Sequence, residues 1–174
     1  MSSAATRPAG RAGTIVVGLG NPILGDDGIG WKVVDELELR LAGEGRLRDA
    51  MGPLELDRLS VGGLTLMERL VGFGRAIVID ADATMPAGTV RVAPLADIEQ
   101  RRAQNLDSPH DVTLTRAVEL AEQTGAPVPG DILVVAVGIP ASAWFSEELS
   151  AEVAAAVGRA ADVVVDVLAG TSVS

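Results

Sequence analysis

The sequence predicts an α/β fold, a three-layer sandwich with a mostly parallel, twisted sheet of about five strands and helices on both faces. Three observations predict it. Short apolar runs alternate with amphipathic stretches of helical spacing, the pattern of strand–helix–strand units. Hydrophobic residues make up 48% of the chain and aromatics only 2%, so the core is built from Val, Ile, Leu and Ala, which suits a parallel sheet covered on both sides. A length of 174 residues suits a single domain.

Met1 to Gly13 is small, polar and Arg-bearing, and is expected to be a disordered leader before one domain spanning residues 14–174. Thr14 to Leu19 is a β-branched run flanked by glycines, the signature of a buried strand. Gly28 to Leu41 sets Ile29, Val33, Leu37 and Leu41 at helical spacing, opposite Lys32, Asp35, Glu36 and Arg40. Leu54 to Val61 alternates apolar and polar residues as an edge or half-buried strand does, and Gly62-Gly63 opens a short helix to about Leu70. Ala76 to Ile79 is a wholly apolar strand closed by Asp80, and Gly88 to Val92 forms another after a turn at Pro86. Ile98 to Ala103 fits neither pattern. Ser108-Pro109-His110-Asp111 has the grammar of a helix start, with Ser as N-cap and Pro at the first helical position; the helix should reach Gln123, before Gly125 and Pro127. Asp131 to Val137 is a further apolar strand, and Glu147 to about Ala161 an amphipathic helix with a weak continuation to Leu168.

Composition excludes several functions. A formal net charge of -10 opposes the phosphate backbone of a nucleic acid, and two Trp, two Phe and no Tyr offer few platforms for stacking bases. The absence of cysteine removes disulfides, thiolate metal sites and cysteine nucleophiles. No apolar run reaches the roughly 18 residues of a membrane span, and the N-terminal segment has no apolar secretory core, so a cytoplasmic location is expected.

In open α/β sheets ligands sit beyond the carboxyl ends of the strands, and two such ends here carry aspartate. The loop after the first strand runs from Gly18 to Gly30 and contains Asp26-Asp27; a later strand ends Ile79-Asp80-Ala81-Asp82. Gly18-x-Gly20 is not a dinucleotide fingerprint, because its third glycine would fall at Ile23, and the loop lacks both the Lys of a P-loop and the Ser of a nucleophile elbow. Adjacent acids at a helix start are commonly caps, yet a cap explains one of Asp26 and Asp27 and leaves the other for a ligand or base. Asp80 is either a strand-end loop residue bonded to nearby N–H groups or an acid at the active edge, and Asp82 a reserve carboxylate or a turn former. His110 is the only histidine, which removes sites built on two or three imidazoles. Either it is an ordinary exposed histidine or, kept neutral by the positive end of its helix, it can bind a metal. Two carboxylates and one imidazole make an N/O site with coordination positions left open.

Gly18, Gly20, Asn21, Asp26, Asp27 and Gly30 fit the pattern G-x-G-N-x-x-x-x-D-[DE]-x-x-G; with an apolar strand ending Asp80-Ala81 and the His110 stretch before a helix, the chain resembles the hydrogenase maturation endopeptidases from about Thr14 to Leu149. Gly138-Ile139-Pro140 is similar to a G-I-x-P segment of that family, with Pro one place early. The resemblance implies a hydrolase that removes a C-terminal extension from the large-subunit precursor of a nickel-iron hydrogenase after nickel insertion. It implies that Asp27, Asp80 and His110 form the metal-contacting and catalytic trio, that the nickel belongs to the substrate, and that no organic cofactor is needed. The expected partner is the immature large subunit, met by a monomer without nucleic acid or membrane. Two other readings stand beside it: a nucleotide- or metabolite-binding α/β module, and a metal-sensing maturation chaperone that does not hydrolyse.

Overall fold

A computed structural model describes residues 11–43, 52–98, 100, 114–141 and 144–170. Strand β1 (Arg11–Leu19) leads through a 3-10 turn (Gly25–Gly28) into helix α1 (Ile29–Gly43), followed by β2 (Leu54–Leu59), α2 (Gly63–Leu70), β3 (Phe73–Asp82) and β4 (Val90–Pro94). Helix α3 (Leu114–Gln123), β5 (Asp131–Gly138) and the helices α4 (Ala151–Ala154) and α5 (Val157–Leu168) complete the order. The five strands form one sheet in the order β2-β1-β3-β5-β4, with β4 antiparallel to β5 and the other pairs parallel. The expected α/β class and strand number are therefore present.

Alternation along the strands divides the core in two. Ile15, Val17, Ala76, Val78, Val134 and Ala136 face α2 and α3, where they meet Leu66, Leu70, Leu114 and Ala117. Val16, Ile77, Ile79, Val135 and Val137 face the opposite way, against Val33, Leu37, Val153, Ala160 and Val164 of α1, α4 and α5. Both faces of the central strands are thus covered, which is why their middles, Ile15 to Val17 and Ala76 to Ile79, are apolar at consecutive positions instead of every second one.

Several boundaries differ from the sequence reading. Strand β1 opens at Arg11, inside the expected leader, by pairing with Phe73. Strand β3 runs to Asp82, so Asp80 lies within the strand, not after it, because β5 continues alongside and pairs Asp80 with Ala136. The segment expected as a helix from Glu147 to Ala161 is a loop to Ser150, then α4, a turn at residues 155–156, and α5. The Ser108 to Asp111 helix start lies outside the described residues, as does most of Ile98 to Ala103.

Candidate active site

The chain leaves β1 for β2 on one side and returns as β3 on the other, so the connections after β1 and β3 part at the carboxyl edge of the sheet. That divergence is the topological switch point where open α/β sheets form a crevice. Asp27 belongs to the connection after β1, and Asp80 stands on β3 one step past the paired residues Gly18 and Ile79. The 3-10 turn that carries Asp27 packs on β3. The fold thus brings Asp27 and Asp80 to one edge, and both are half-buried.

Glycines make this approach possible. A Cβ on Gly18 would stand 2.3 Å from the Gly30 carbonyl oxygen, and one on Gly30 would stand 2.3 Å from that of Leu19 and 2.7 Å from that of Ile79. The start of α1 therefore lies directly on the backbone ends of β1 and β3. Gly20, at φ +121°, brings the chain so close that its Cβ would be 1.8 Å from the Asp27 carbonyl oxygen.

The neighbouring acids have separate partners. Asp27 Oδ2 accepts the Asn21 N–H at 2.7 Å, which orients the carboxylate across its own loop; among the described residues Oδ1 has no hydrogen bond. Asp26 is 2% exposed, and its Oδ1 accepts the Ser150 N–H at 2.7 Å, from a residue 124 positions away. Its Oδ2 and the Ser150 hydroxyl are buried and have no partner among the described residues. Neither acid caps the 3-10 turn, whose N-cap Leu24 has no side-chain bond. Asp26 is instead a long-range tie between the site loop and the segment leading into α4, a role that only the chain's three-dimensional return could reveal.

Asp82 is a turn former: buried at 5% exposure, its Oδ1 accepts the backbone N–H of Thr84 at 2.8 Å and the Thr84 hydroxyl at 2.6 Å. The backbone of Ile139 donates to the Asp82 carbonyl at 3.1 Å, and a Cβ on Gly138 would meet the Pro86 carbonyl oxygen at 2.0 Å, so Gly138-Ile139 closes the end of β3. His110 lies outside the described residues, and among those described no group of three His, Asp or Glu side chains is placed to hold a metal.

A doubly wound sheet with two carboxylates at its switch point, one on a glycine-tight loop and one on the neighbouring strand, has the fold of the hydrogenase maturation endopeptidases. No protein-family model and no curated protein matches the chain. Among solved structures it is similar to the hydrogenase maturating endopeptidase HybD from E. coli, with a TM-score of 0.67 and 24% identity over 90% of this chain and 91% of that one. It is also similar to a hydrogenase 2 maturation peptidase from a Thaumarchaeota archaeon, with a TM-score of 0.57 and 27% identity over 90% and 97% of the two chains. A third similar structure, the [NiFe] hydrogenase maturation protease HycI from Thermococcus kodakarensis, has a TM-score of 0.60 and 21% identity over 90% and 92%. The likeness carried by the motifs therefore extends to the fold over nine-tenths of the chain.

Proposed function

We propose that the chain is a hydrogenase maturation endopeptidase, a hydrolase that removes the C-terminal extension from the large-subunit precursor of a nickel-iron hydrogenase once nickel is in place. The observation that carries this reading is the placement of Asp27 and Asp80 at one edge, at the switch point of a sheet whose solved counterparts are named as such endopeptidases. No helix of the described residues is long and apolar enough to cross a membrane, and the reading places the enzyme in the cytoplasm, acting as a monomer on a protein substrate.

In this mechanism the nickel is part of the substrate. Asp27, Asp80 and His110 recognise it through two carboxylate oxygens and one imidazole nitrogen, an N/O set suited to a divalent transition metal, and so bring the scissile peptide to the crevice. A carboxylate of the pair takes a proton from the attacking water as its oxygen adds to the peptide carbonyl. The C–N bond then breaks, and the proton passes to the leaving amine. No nucleotide or organic cofactor takes part.

Incubation of the purified protein with nickel-loaded precursor, followed by intact mass of the large subunit, tests the proposal. The wild type is expected to release the C-terminal peptide, whereas Asp27→Asn, Asp80→Asn and His110→Ala should fold with unchanged circular dichroism and leave the precursor whole. Complete processing by His110→Ala would remove the trio from the mechanism.

A further inference from the structure

Beside the candidate site the surface exposes residues of a kind the chain otherwise uses sparingly. The sequence has only two Trp and two Phe, and one of each, Trp144 and Phe145, stands in the loop before α4. Phe145 is 86% exposed and Trp144 37%, while Ile23, in the loop after β1, is 48% exposed. These residues are not scattered. Ser146 donates its N–H to the Ile23 carbonyl at 3.1 Å, and Gly25 donates to the Ser146 carbonyl at 2.7 Å, a parallel bridge centred on Leu24 and Ser146. A Cβ on Gly25 would stand 2.8 Å from the Trp144 ring, so the indole lies flush on the loop that carries Asp27. Ile23, Trp144 and Phe145 are therefore held by the backbone of the site loop itself, and Ile23 is only four residues from Asp27. The next two residues, Glu147 and Glu148, are exposed acids that form no ion pair among the described residues.

Exposed aromatic groups next to a polar rim mark interaction surfaces, and rigid rings make efficient anchors. We propose, on the basis of the endopeptidase reading, that this surface docks the substrate polypeptide. It seats an apolar side chain against Ile23, Trp144 and Phe145, and a basic one against Glu147 and Glu148. Continuity selects this occupant: a peptide whose scissile bond reaches Asp27 from this side crosses Ile23 and the bridged Ser146 segment. The unpaired acids select the charge of its neighbouring residue.

The test compares wild type, Phe145→Ser, and a Glu147→Lys/Glu148→Lys double variant with the nickel-loaded precursor, measuring both processing against precursor concentration and precursor binding by calorimetry. Phe145→Ser is expected to weaken binding about tenfold or more, with the loss appearing in KM rather than kcat and the thermal midpoint unmoved. The double variant should also weaken binding and flatten its dependence on salt. Wild-type affinity in Phe145→Ser would overturn the proposal, as would a wild-type dimer by light scattering that Phe145→Ser dissociates, which would give the surface to a second copy of the chain. Phe145-dependent binding without any cleavage by the wild type would leave the docking surface standing and overturn the endopeptidase reading alone.

Discussion

At the scale of single residues, two adjacent acids have unlike tasks. Asp27 is half-buried with one oxygen committed to Asn21, while Asp26 is buried and tied to Ser150. Replacing Asp26 by Ala leaves the half-buried Ser150 N–H without its acceptor, so a loss of about 1–3 kcal/mol is expected in urea unfolding. Asp27→Asn, which keeps an acceptor for Asn21, should cost less than Asp26→Ala in the same assay. The sequence pointed to Asp80 at the carboxyl edge of the sheet, whereas its expectation that a cap would account for one acid of the pair is not met, since neither caps the 3-10 turn. It could not show which acid was buried, because the partner of Asp26 lies 124 positions away and no local pattern encodes that contact. Asp82 shows the reverse case: its turn with Thr84 spans two residues, and a local rule anticipates it as one of two readings.

At the scale of elements, apolar runs located the central strands well, and mixed sequence at their ends hid their true lengths. Phe73-Gly74-Arg75 and Asp80-Ala81-Asp82 extend β3 because β1 and β5 lie alongside to take up the backbone bonds, not because those residues favour a strand. The Glu147 to Ser150 segment is likewise claimed as loop by tertiary bonds, Ser146 to Ile23 and Ser150 to Asp26, against its own helical pattern. Edge strand β2 is fastened to α1 by Arg58, whose guanidinium meets Asp35 and Glu38, each at 2.6 Å. The hydrogen bond from Arg58 holds the Glu38 carboxyl below its ordinary value of 4.5. A lowered folded-state value means that this contribution is present above the unfolded value and is lost as pH falls through the folded one. Because the pair is solvent-exposed, Arg58→Ala should cost under about 1 kcal/mol near pH 7. The difference from wild type should shrink below pH 4.5, and also in high salt, when denaturation midpoints are compared.

For the whole molecule, composition was the best guide: a core of aliphatic residues with few rings calls for a sheet covered on both faces, and both faces are covered. Strand order was not legible, since parallel neighbours are chosen by crossovers and not by the strands' own residues. Every position from Ala76 to Ile79 is buried, and alternate residues enter the two opposite layers, so β3 belongs to both. The layers should therefore lose structure together. Ile77→Ala is expected to cost about 2–5 kcal/mol. It should shift the denaturation midpoints by Trp fluorescence and by circular dichroism equally, as a single cooperative transition requires; separate midpoints would show that the layers unfold independently.

The backbone contact between the start of α1 and the ends of β1 and β3 has a consequence for how such a motif works. Gly18, Gly20 and Gly30 bring no reactive group; they set how far the loop can fall before it meets the sheet. The glycines act as a gauge, and the two acids are marks on it. Insert one residue between Gly20 and Asp26 and, counted from Gly20, Asp26 takes the place of Asp27 while Gly25 takes the place of Asp26, so that the tether to Ser150 loses its carboxylate. The spacing of this stretch therefore decides which side chain is delivered to the edge of the sheet, and does so as strictly as the identity of that side chain.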